Sequence, residues 1–328
     1  MKRILKLVSS FICMGISISF LLSCSLFPEK GTVSLSLTDA PIADSAAVEG
    51  VYVTITGIAY NLNDEWIVDE NFGEPKKFNL LELTNGEVAP LSTISIDSGH
   101  VSQIRFLLDA ELDGAEAPKS SGGTSGCYIV IDSDGIADGI EDETDTSYSL
   151  KVPSKEQKFT GAFDIPQNGT VEITADFDVR KSVTKRGSKD EYILKPTIRL
   201  IVNNQAGTIS GNFEDSSDSF DSYSIFAYAN GDYNIATEYD DVKAALEANP
   251  DSTDEIFFAN AISSAQVKDD GDGSFSYVLP FLASGTYDLV VVGIDTDGTY
   301  TIVDDDSYVD LSVLSEETTT ENIYLGSD

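Results

Sequence analysis

Closely spaced carboxylates occur in one Gly-containing acidic segment, residues 132–143. The candidate ligands are Asp132, Asp134, Asp138, Asp142 and Glu143. Calcium takes roughly six to eight oxygen ligands, which carboxylates at this spacing can supply. Ile136 and Ala137 stand where an EF-hand loop carries an oxygen ligand and Gly, so the EF-hand pattern is incomplete. The segment is therefore either a calcium site of another kind or a solvated acidic loop.

Two aromatic residues could bind a sugar ring. Tyr60 and Trp66 flank the polar stretch 61–65. Aromatic rings give large apolar contact surfaces with a polar handle, which suits the apolar face of a pyranose. The alternative is an aromatic residue that closes the edge of a β-sandwich.

Nucleophilic catalysis has little support in this sequence. His100 is the only histidine, so a Ser-His-Asp or Cys-His site would have to use it. Cys127 opens an apolar run, which favours burial over reactivity. A hydrolase built on paired carboxylates is a third alternative, but the 56 acidic residues make any chosen pair uninformative. We therefore expect a protein that is not an enzyme.

One basic island interrupts the acidic sequence. Its members are Arg180, Lys181, Lys185, Arg186, Lys189 and Lys195. Such a cluster can contact phosphate headgroups or an acidic partner. It can equally be the charged tip of a hairpin.

The beginning of the chain has the pattern of a bacterial lipoprotein signal. Basic residues precede an apolar stretch with interspersed serines, 7–22, which is short for a membrane span and suits a signal peptide. An aliphatic residue lies three positions before Cys24 and a small residue lies just before it, which resembles the lipobox. We predict a signal peptide over 1–23 and a lipidated tether over 24–31. Ser25 after the cysteine favours the outer membrane or cell surface.

Acyl chains on Cys24 would make the lipid bilayer a partner, because each buried methylene contributes about 0.8 kcal/mol. The formal net charge of −36 argues against nucleic acid as another partner, since a surface of that sign repels phosphates. It suits a protein that stands in a cation-rich medium, and it also keeps a protein soluble without any ligand.

Short runs of β-branched and aromatic residues, separated by Gly, Asn, Asp and Pro, fill the rest of the chain. The first group of predicted strands is 32–38, 51–60, 77–83, 101–108, 127–131, 147–152, 158–165, 170–179 and 197–202. The second group is 208–213, 224–228, 256–259, 274–279, 286–292, 300–303, 308–313 and 321–325. This pattern predicts an all-β protein of two consecutive β-sandwich domains.

A break near residues 203–207 separates the predicted domains, 32–203 and 207–328. Helical spacing of apolar residues predicts one short helix over 240–248. Alternation along 170–179 places Asp176 and Asp178 on the solvent face of their strand.

Six ordered blocks of the first domain resemble a known family of bacterial and archaeal surface domains. The blocks are GTVSLSLTDAP at 31–41, NLLELTNG at 79–86, GHVSQIRF at 99–106, LKVPS at 150–154, DFDVRKSV at 176–183 and YILKPTIR at 192–199. The family is domain of unknown function 4382. This resemblance implies a surface location and a β fold, and it brings no established activity.

The second region resembles the carboxypeptidase-regulatory-like, prealbumin-type sandwich. The similar residues are GTISG at 207–211, DGSFSY at 272–277, LP at 279–280 and GTYDL at 285–289. Modules of this kind act as spacers or as sugar-facing binding domains. We therefore predict a membrane-anchored surface lipoprotein that binds or spaces without catalysis, with calcium as a candidate stabilising ion. Its candidate partners besides the bilayer are a glycan or another surface protein. The alternative is a glycan-binding accessory lipoprotein of a polysaccharide capture or uptake system.

Overall fold

The computed structural model describes residues 29–40, 48–109, 126–132, 145–153, 156–185, 191–217, 219–249, 256–296 and 298–326. The strands that precede residue 203 are β1 (Lys30–Ala40), β2 (Val48–Leu62), β3 (Glu65–Val68), β4 (Lys76–Asn79), β5 (Ala89–Asp97), β6 (Gly99–Leu108), β7 (Tyr128–Ile131), β8 (Thr146–Lys151), β9 (Glu156–Ile165), β10 (Thr170–Asp178), β11 (Val183–Lys185), β12 (Tyr192–Leu194) and β13 (Ile198–Val202). A single helical turn, α1 (Val179–Ser182), follows β10, and a 3-10 turn, Leu80–Leu83, follows β4.

These strands form two sheets. Sheet I is four-stranded in the order β13-β10-β1-β5, and β1 runs parallel to β10. Sheet II is nine-stranded in the order β11-β12-β8-β7-β2-β6-β9, with β3 and β4 also paired to β2. We call sheets I and II the N-terminal domain.

The first core lies between these two sheets. Alternate residues of β1 point inward, so Val33, Leu35 and Leu37 are buried while the serines between them are half-buried. Val51 and Val53 of β2 meet them from sheet II. Period-2 alternation therefore positions the core, as the sequence predicted for one face of each strand.

The strands that follow residue 205 are β14 (Ala206–Asp215), β15 (Ser222–Ala229), β16 (Ser263–Gln266), β17 (Lys268–Asp269), β18 (Phe275–Ala283), β19 (Gly285–Ile294), β20 (Tyr300–Asp304), β21 (Leu311–Val313), β22 (Thr318–Thr320) and β23 (Ile323–Leu325). Sheet III has the order β17-β18-β14-β22 with β23 on β14, and sheet IV has the order β16-β15-β19-β20 with β21 on β19. We call sheets III and IV the C-terminal domain. The described chain thus has the predicted all-β architecture, with two successive pairs of sheets.

Sheet IV is buried on both faces. Ile225 and Leu289 point into a second core that it shares with sheet III. Their neighbours Phe226 and Val290 point the other way, into a third core. That third core is covered by the segment around Phe258 and by a π-helical turn, Ala236–Asp240, that leads into α2 (Asp241–Ala248). The predicted short helix is thereby confirmed.

The predicted strand at 256–259 is wrong, because this segment is a turn. Phe257, Phe258 and Ala261 all contact the third core, which an alternating strand does not allow. Phe258 has a φ of 55°, which is rare for a bulky residue, and its ring stacks on Phe226 at a centroid distance of 4.3 Å. Burial of the ring therefore outweighs the backbone preference.

Two further expectations need correction. The predicted strand 77–83 ends at Asn79, whose side-chain Oδ1 accepts a hydrogen bond from Leu81 N and caps the 3-10 turn. The solvent face predicted for β10 is largely covered. Asp176 is 8% exposed and pairs with Arg199 at 2.6 Å, and Asp178 is half-buried.

Candidate functional site

The outer face of sheet II carries an open polar and aromatic array where β3, β2 and β6 lie side by side. One row across the strands is Trp66, Asn61 and Gln103, and the next is Val68, Ala59 and Arg105. Since facing residues in a sheet point to the same side, these side chains share one surface. We call these six residues the outer array.

Trp66 and Arg105 form the centre of the outer array. The guanidinium carbon of Arg105 lies 3.5 Å from the centroid of the Trp66 ring, which is a close cation–π stack. Trp66 and Arg105 lie on opposite sides of β2, in neighbouring rows of the array. Between them lies Ala59, whose small, buried side chain leaves room for the stack. Trp66 is still 37% exposed, so part of the indole remains available to a ligand.

A tight hairpin positions Trp66. Asn63 and Asp64 connect β2 to β3 with φ values of 50° and 71°, as a two-residue hairpin turn of the primed type requires. The Asn63 N–H donates to the His100 carbonyl at 3.0 Å, and Asn63 Oδ1 accepts from His100 N–H at 3.1 Å. The hairpin tip is therefore bound to the start of β6. This contact holds β2 and β3 in register with β6.

Asn61 adds hydrogen-bonding capacity beside the indole. Its Oδ1 accepts a hydrogen bond from Ser102 Oγ at 2.8 Å, which fixes the orientation of the amide. The amide N–H groups can then donate to a hydroxyl on the ligand. Gln103 lies opposite Asn61 on the next strand and is half-buried.

Tyr60 does not share a platform with Trp66. It is paired with Ile67 and Ile104, one position away from the array on each strand, and successive side chains alternate between faces. Tyr60 is therefore only 7% exposed in the first core. Burial, with Asp69 and Asp97 nearby, raises the pKa of its hydroxyl. The predicted pairing of these two aromatic residues is corrected to a pairing of Trp66 with Arg105.

A second aromatic pair lies farther along the same sheet. Tyr52 and Tyr128 stack with centroids 4.6 Å apart, and Lys77 Nζ lies 5.2 Å and 5.5 Å from the two ring centroids. Lys77 Nζ also donates to the Tyr128 hydroxyl at 3.2 Å. Tyr128 is only 2% exposed and Tyr52 is half-buried, so this pair mainly contributes to packing.

The predicted calcium segment lies mostly outside the described residues. Asp132 is described and is half-buried after β7, whereas Asp134, Asp138, Asp142 and Glu143 lie outside. Within the part of the chain that the structure describes, no three His, Cys, Asp or Glu side chains are grouped to hold a metal ion. Calcium binding by 132–143 stays a prediction.

His100 and Cys127 occupy separate environments. His100 Nδ1 lies 2.8 Å from Asp164 Oδ1, and both side chains are largely exposed. Cys127 is buried in the first core, and burial raises the pKa of its thiol to about 11. A thiol of that kind is a poor nucleophile at neutral pH.

The described members of the basic island lie in different surroundings. Arg180 and Lys181 lie in α1, where both reach Asp178 at 3.0 Å, and the Arg180 side chain is only 7% exposed. Lys185 lies 5.8 Å from the Tyr192 ring centroid at the exposed end of β11. Lys195 is also exposed. Arg186 and Lys189, like the predicted lipidation residue Cys24, lie outside the described residues.

Sequence reasoning missed Asn61, Gln103 and Arg105 as companions of Trp66. Alternation along 101–108 shows that Gln103 and Arg105 share a face, but the register against β2 and β3 has no local signal. An irregularity at Ser102 also shifts the register of β6 against β2, between the pairs Asn61–Gln103 and Leu62–Val101.

Three solved structures are similar over most of this chain at low identity. A leucine-rich repeat protein from Bacteroides thetaiotaomicron is 9% identical over 91% of this chain and 27% of its own length, with a TM-score of 0.21. BcpA, the major pilin subunit of Bacillus cereus, is 9% identical over 92% of this chain and 100% of its own, with a TM-score of 0.20. The tip fimbrial protein Mfa3 from Porphyromonas gingivalis is 7% identical over 91% of this chain and 96% of its own, with a TM-score of 0.20.

This chain therefore spans about a quarter of the leucine-rich repeat protein. No curated protein matches the sequence. Comparison with protein families matches residues 30–196, from β1 through β12, which is more than half of the 328 residues. The chain belongs to the family described as Domain of unknown function (DUF4382).

Proposed function

We propose that this protein is a lipid-anchored surface protein of the cell envelope that binds or spaces and does not catalyse. The observation that carries binding is the outer array, an open sheet face with a stacked indole and guanidinium held in register by the hairpin at Asn63. A rigid sheet is a better support for a binding site than a mobile loop.

Anchoring rests on the sequence that precedes β1. Cys24 lies five residues before Glu29, the first described residue, so an acylated cysteine would hold β1 close to a bilayer. A fully extended chain spans at most about 3.6 Å per residue. Among the described residues, no helix has both the length and the apolar composition to cross a membrane. Lipid on Cys24 would supply the attachment.

Incorporation of labelled palmitate into the full chain in a bacterial host tests the anchor. We expect label in the wild type and none in Cys24→Ser. Cys13→Ser is the matched control, because Cys13 lies within the predicted signal peptide and should not affect labelling. Unlabelled wild type, or labelled Cys24→Ser, would contradict lipidation at this residue.

A neutral glycan is the ligand class that the outer array favours. The apolar face of a pyranose can pack on the exposed part of Trp66, while Asn61 and Gln103 can hydrogen-bond its hydroxyls. The net charge of −36 disfavours a polyanionic sugar. The C-terminal domain, which resembles the carboxypeptidase-regulatory-like sandwich, would then support or space the sugar-binding domain.

A glycan array with the chain from Ser25 onward tests this ligand class. We expect binding to a neutral glycan that Trp66→Ala abolishes. Tyr324→Ala is the matched control, since Tyr324 is an aromatic residue of the C-terminal domain that is 61% exposed. The glycan proposal would be contradicted if the wild type bound no glycan, or if Trp66→Ala bound as well as the wild type. The protein would then be a spacer without a sugar ligand on this face.

A further inference from the structure

Charged side chains are buried where β1 and β10 end. These two strands are parallel, so their C-terminal ends meet, and Asp39 lies beside β10 with 5% of its surface exposed. Asp178 ends β10 and Arg180 lies in the α1 turn that follows, with 14% and 7% of their side chains exposed. Burial of charge is costly unless each charge is paired, so the partners of these groups show what the cluster does.

Asp178 is the centre of the cluster. Arg180 donates to it twice, from Nε at 3.1 Å and from Nη2 at 3.0 Å, and Lys181 Nζ lies 3.0 Å from its Oδ2. Burial alone would raise the pKa of Asp178, but the guanidinium and the ammonium group outweigh burial and hold it below its ordinary value. Asp39 Oδ1 accepts a hydrogen bond from Val179 N–H at 3.2 Å and fixes the start of α1.

Both cations also contact the C-terminal domain. The guanidinium carbon of Arg180 lies 5.3 Å from the ring centroid of Phe226, and Lys181 Nζ donates to the Ala261 carbonyl at 3.2 Å. Phe226 and Ala261 are buried members of the third core. β1 also lies beside β16 of sheet IV.

These contacts make the charges of one domain depend on the position of the other. If the C-terminal domain moved away, Lys181 would lose its carbonyl partner, and Arg180 would lose the aromatic ring that shields it from water. Phe226 would at the same time become exposed. Domains that move freely usually meet through small, polar interfaces. The contact here instead includes the buried Phe226 ring and the buried Arg180 guanidinium, which argues against free movement.

We propose that the end of β1 and β10 together with α1 is a dedicated docking surface for the C-terminal domain, and that its two cations, Arg180 and Lys181, held in place by Asp178, lock the two domains into one rigid body. The partner that fits this surface is the third core of the same chain, with the Phe226 ring over a guanidinium and the Ala261 carbonyl opposite an ammonium group. The lock does not require lipid on Cys24 or a ligand on the outer array.

The distance between two spin labels, measured by double electron–electron resonance, tests whether the two domains form one rigid body. The chain from Ser25 onward carries Thr93→Cys on exposed β5 and Tyr324→Cys in the C-terminal domain, one label per domain. Cys127 is buried, with a raised thiol pKa of about 11, and should stay unlabelled. We expect one narrow distance distribution for this otherwise wild-type chain.

Two single variants at the junction and one control decide the role of the two cations. Lys181→Met removes the bond to Ala261, and Arg180→Met removes the buried guanidinium. Lys151→Met is the matched control, since Lys151 forms a 3.2 Å ion pair with Glu191 away from the junction. We expect broadening in both junction variants and none in the control. If Arg180→Met does not fold, Lys181→Met still decides the outcome.

A wild-type distribution as broad as that of two domains on a free linker would overturn the rigid body. An unchanged distribution in every junction variant that folds would overturn the role of the two cations. Broadening in Lys151→Met equal to that in Lys181→Met would also overturn it, because loss of any ion pair would then have the same effect.

Discussion

Sheet II and sheet IV differ in what covers their outer faces. In sheet II the residues that point away from the first core include the exposed Trp66 and Val68. In sheet IV the corresponding residues are Phe226, Tyr228 and Val290, all almost fully buried in the third core. The C-terminal domain therefore buries both faces of one sheet, while the N-terminal domain leaves part of one face exposed.

Sheet I lies between these two cases. Its outer face is covered near the end of β10, but by paired charges rather than by aromatic rings. The two domains thus meet where the N-terminal domain is polar and the C-terminal domain is aromatic. Substitutions on the three sheets should therefore have effects of different size.

Adjacent residues should respond alike in sheet IV and differently in sheet II. We expect Ile225→Ala to cost about 2–5 kcal/mol and Phe226→Ala about 3–5 kcal/mol, because the two side chains fill opposite cores. Ile55→Ala should cost about 2–5 kcal/mol, but its exposed neighbour Thr56→Ala only about 0.5 kcal/mol. The free energy of unfolding in urea measures all four. If Phe226→Ala lowered the free energy of unfolding as little as Thr56→Ala, the third core would not contribute to stability.

The charged face of sheet I should show its own pH dependence. Burial and the carboxylates of Asp178 and Asp176 raise the pKa of Asp39 well above its ordinary value. A raised folded-state pKa contributes stability that is complete below the unfolded pKa of about 3.9 and is lost as the pH rises through the folded-state pKa. Asp39→Asn keeps an oxygen for Val179 N–H and removes that loss.

We therefore expect the free energy of unfolding of Asp39→Asn to fall less with rising pH than that of the wild type. Urea unfolding at a series of pH values measures the slope. Asp64→Asn, in the exposed turn after β2, should keep the wild-type slope. A steeper fall in Asp39→Asn would show that the Asp39 carboxyl is ionised and stabilising.

The outer array should matter less for stability than for binding. Trp66→Ala loses the exposed stack with Arg105, for which a cation–π contribution is about 0.5–1 kcal/mol. We expect the free energy of unfolding, measured by thermal unfolding, to fall by that small amount in Trp66→Ala. Trp66→Phe should restore most of the lost stability. A loss as large as that of Phe226→Ala would mean that this face, too, serves the core.

The smallest expected effect is that on Cys127. Its thiol is buried and its pKa is raised to about 11, so iodoacetamide should leave the folded protein unmodified at neutral pH. Thr93→Cys, on exposed β5, should react rapidly and serves as the positive control. Modification of Cys127 at a similar rate would show that the first core opens readily.

The sequence predicts the strands of the first core well because their alternation is local. The buried Val33, Leu35 and Leu37 are visible as a period-2 pattern. The same rule placed Asp176 and Asp178 in solvent, and it failed there because alternation does not report the cations that cover the two carboxylates. Arg180 and Lys181 stand next to these aspartates in the sequence, and that proximity is the one local signal of the junction.

The outer array was predictable only in part. Trp66 is conspicuous as the single tryptophan of an acidic chain, but its partner Arg105 lies 39 positions away and depends on the register of three strands. Tyr60 illustrates the opposite error. It is close to Trp66 in the sequence, yet the tight turn at Asn63 and Asp64 sets the two rings on opposite faces of the sheet.

The parallel pairing of β1 with β10 has a mechanical consequence. Their register runs from Thr32 opposite Thr170 to Ala40 opposite Asp178, and the C-terminal domain contacts α1 directly after β10. A pull on the chain ahead of β1, opposed by a force on α1 after β10, would act along the two strands from opposite ends. The backbone bonds between the two strands would then be loaded together in shear and would not unzip one after another.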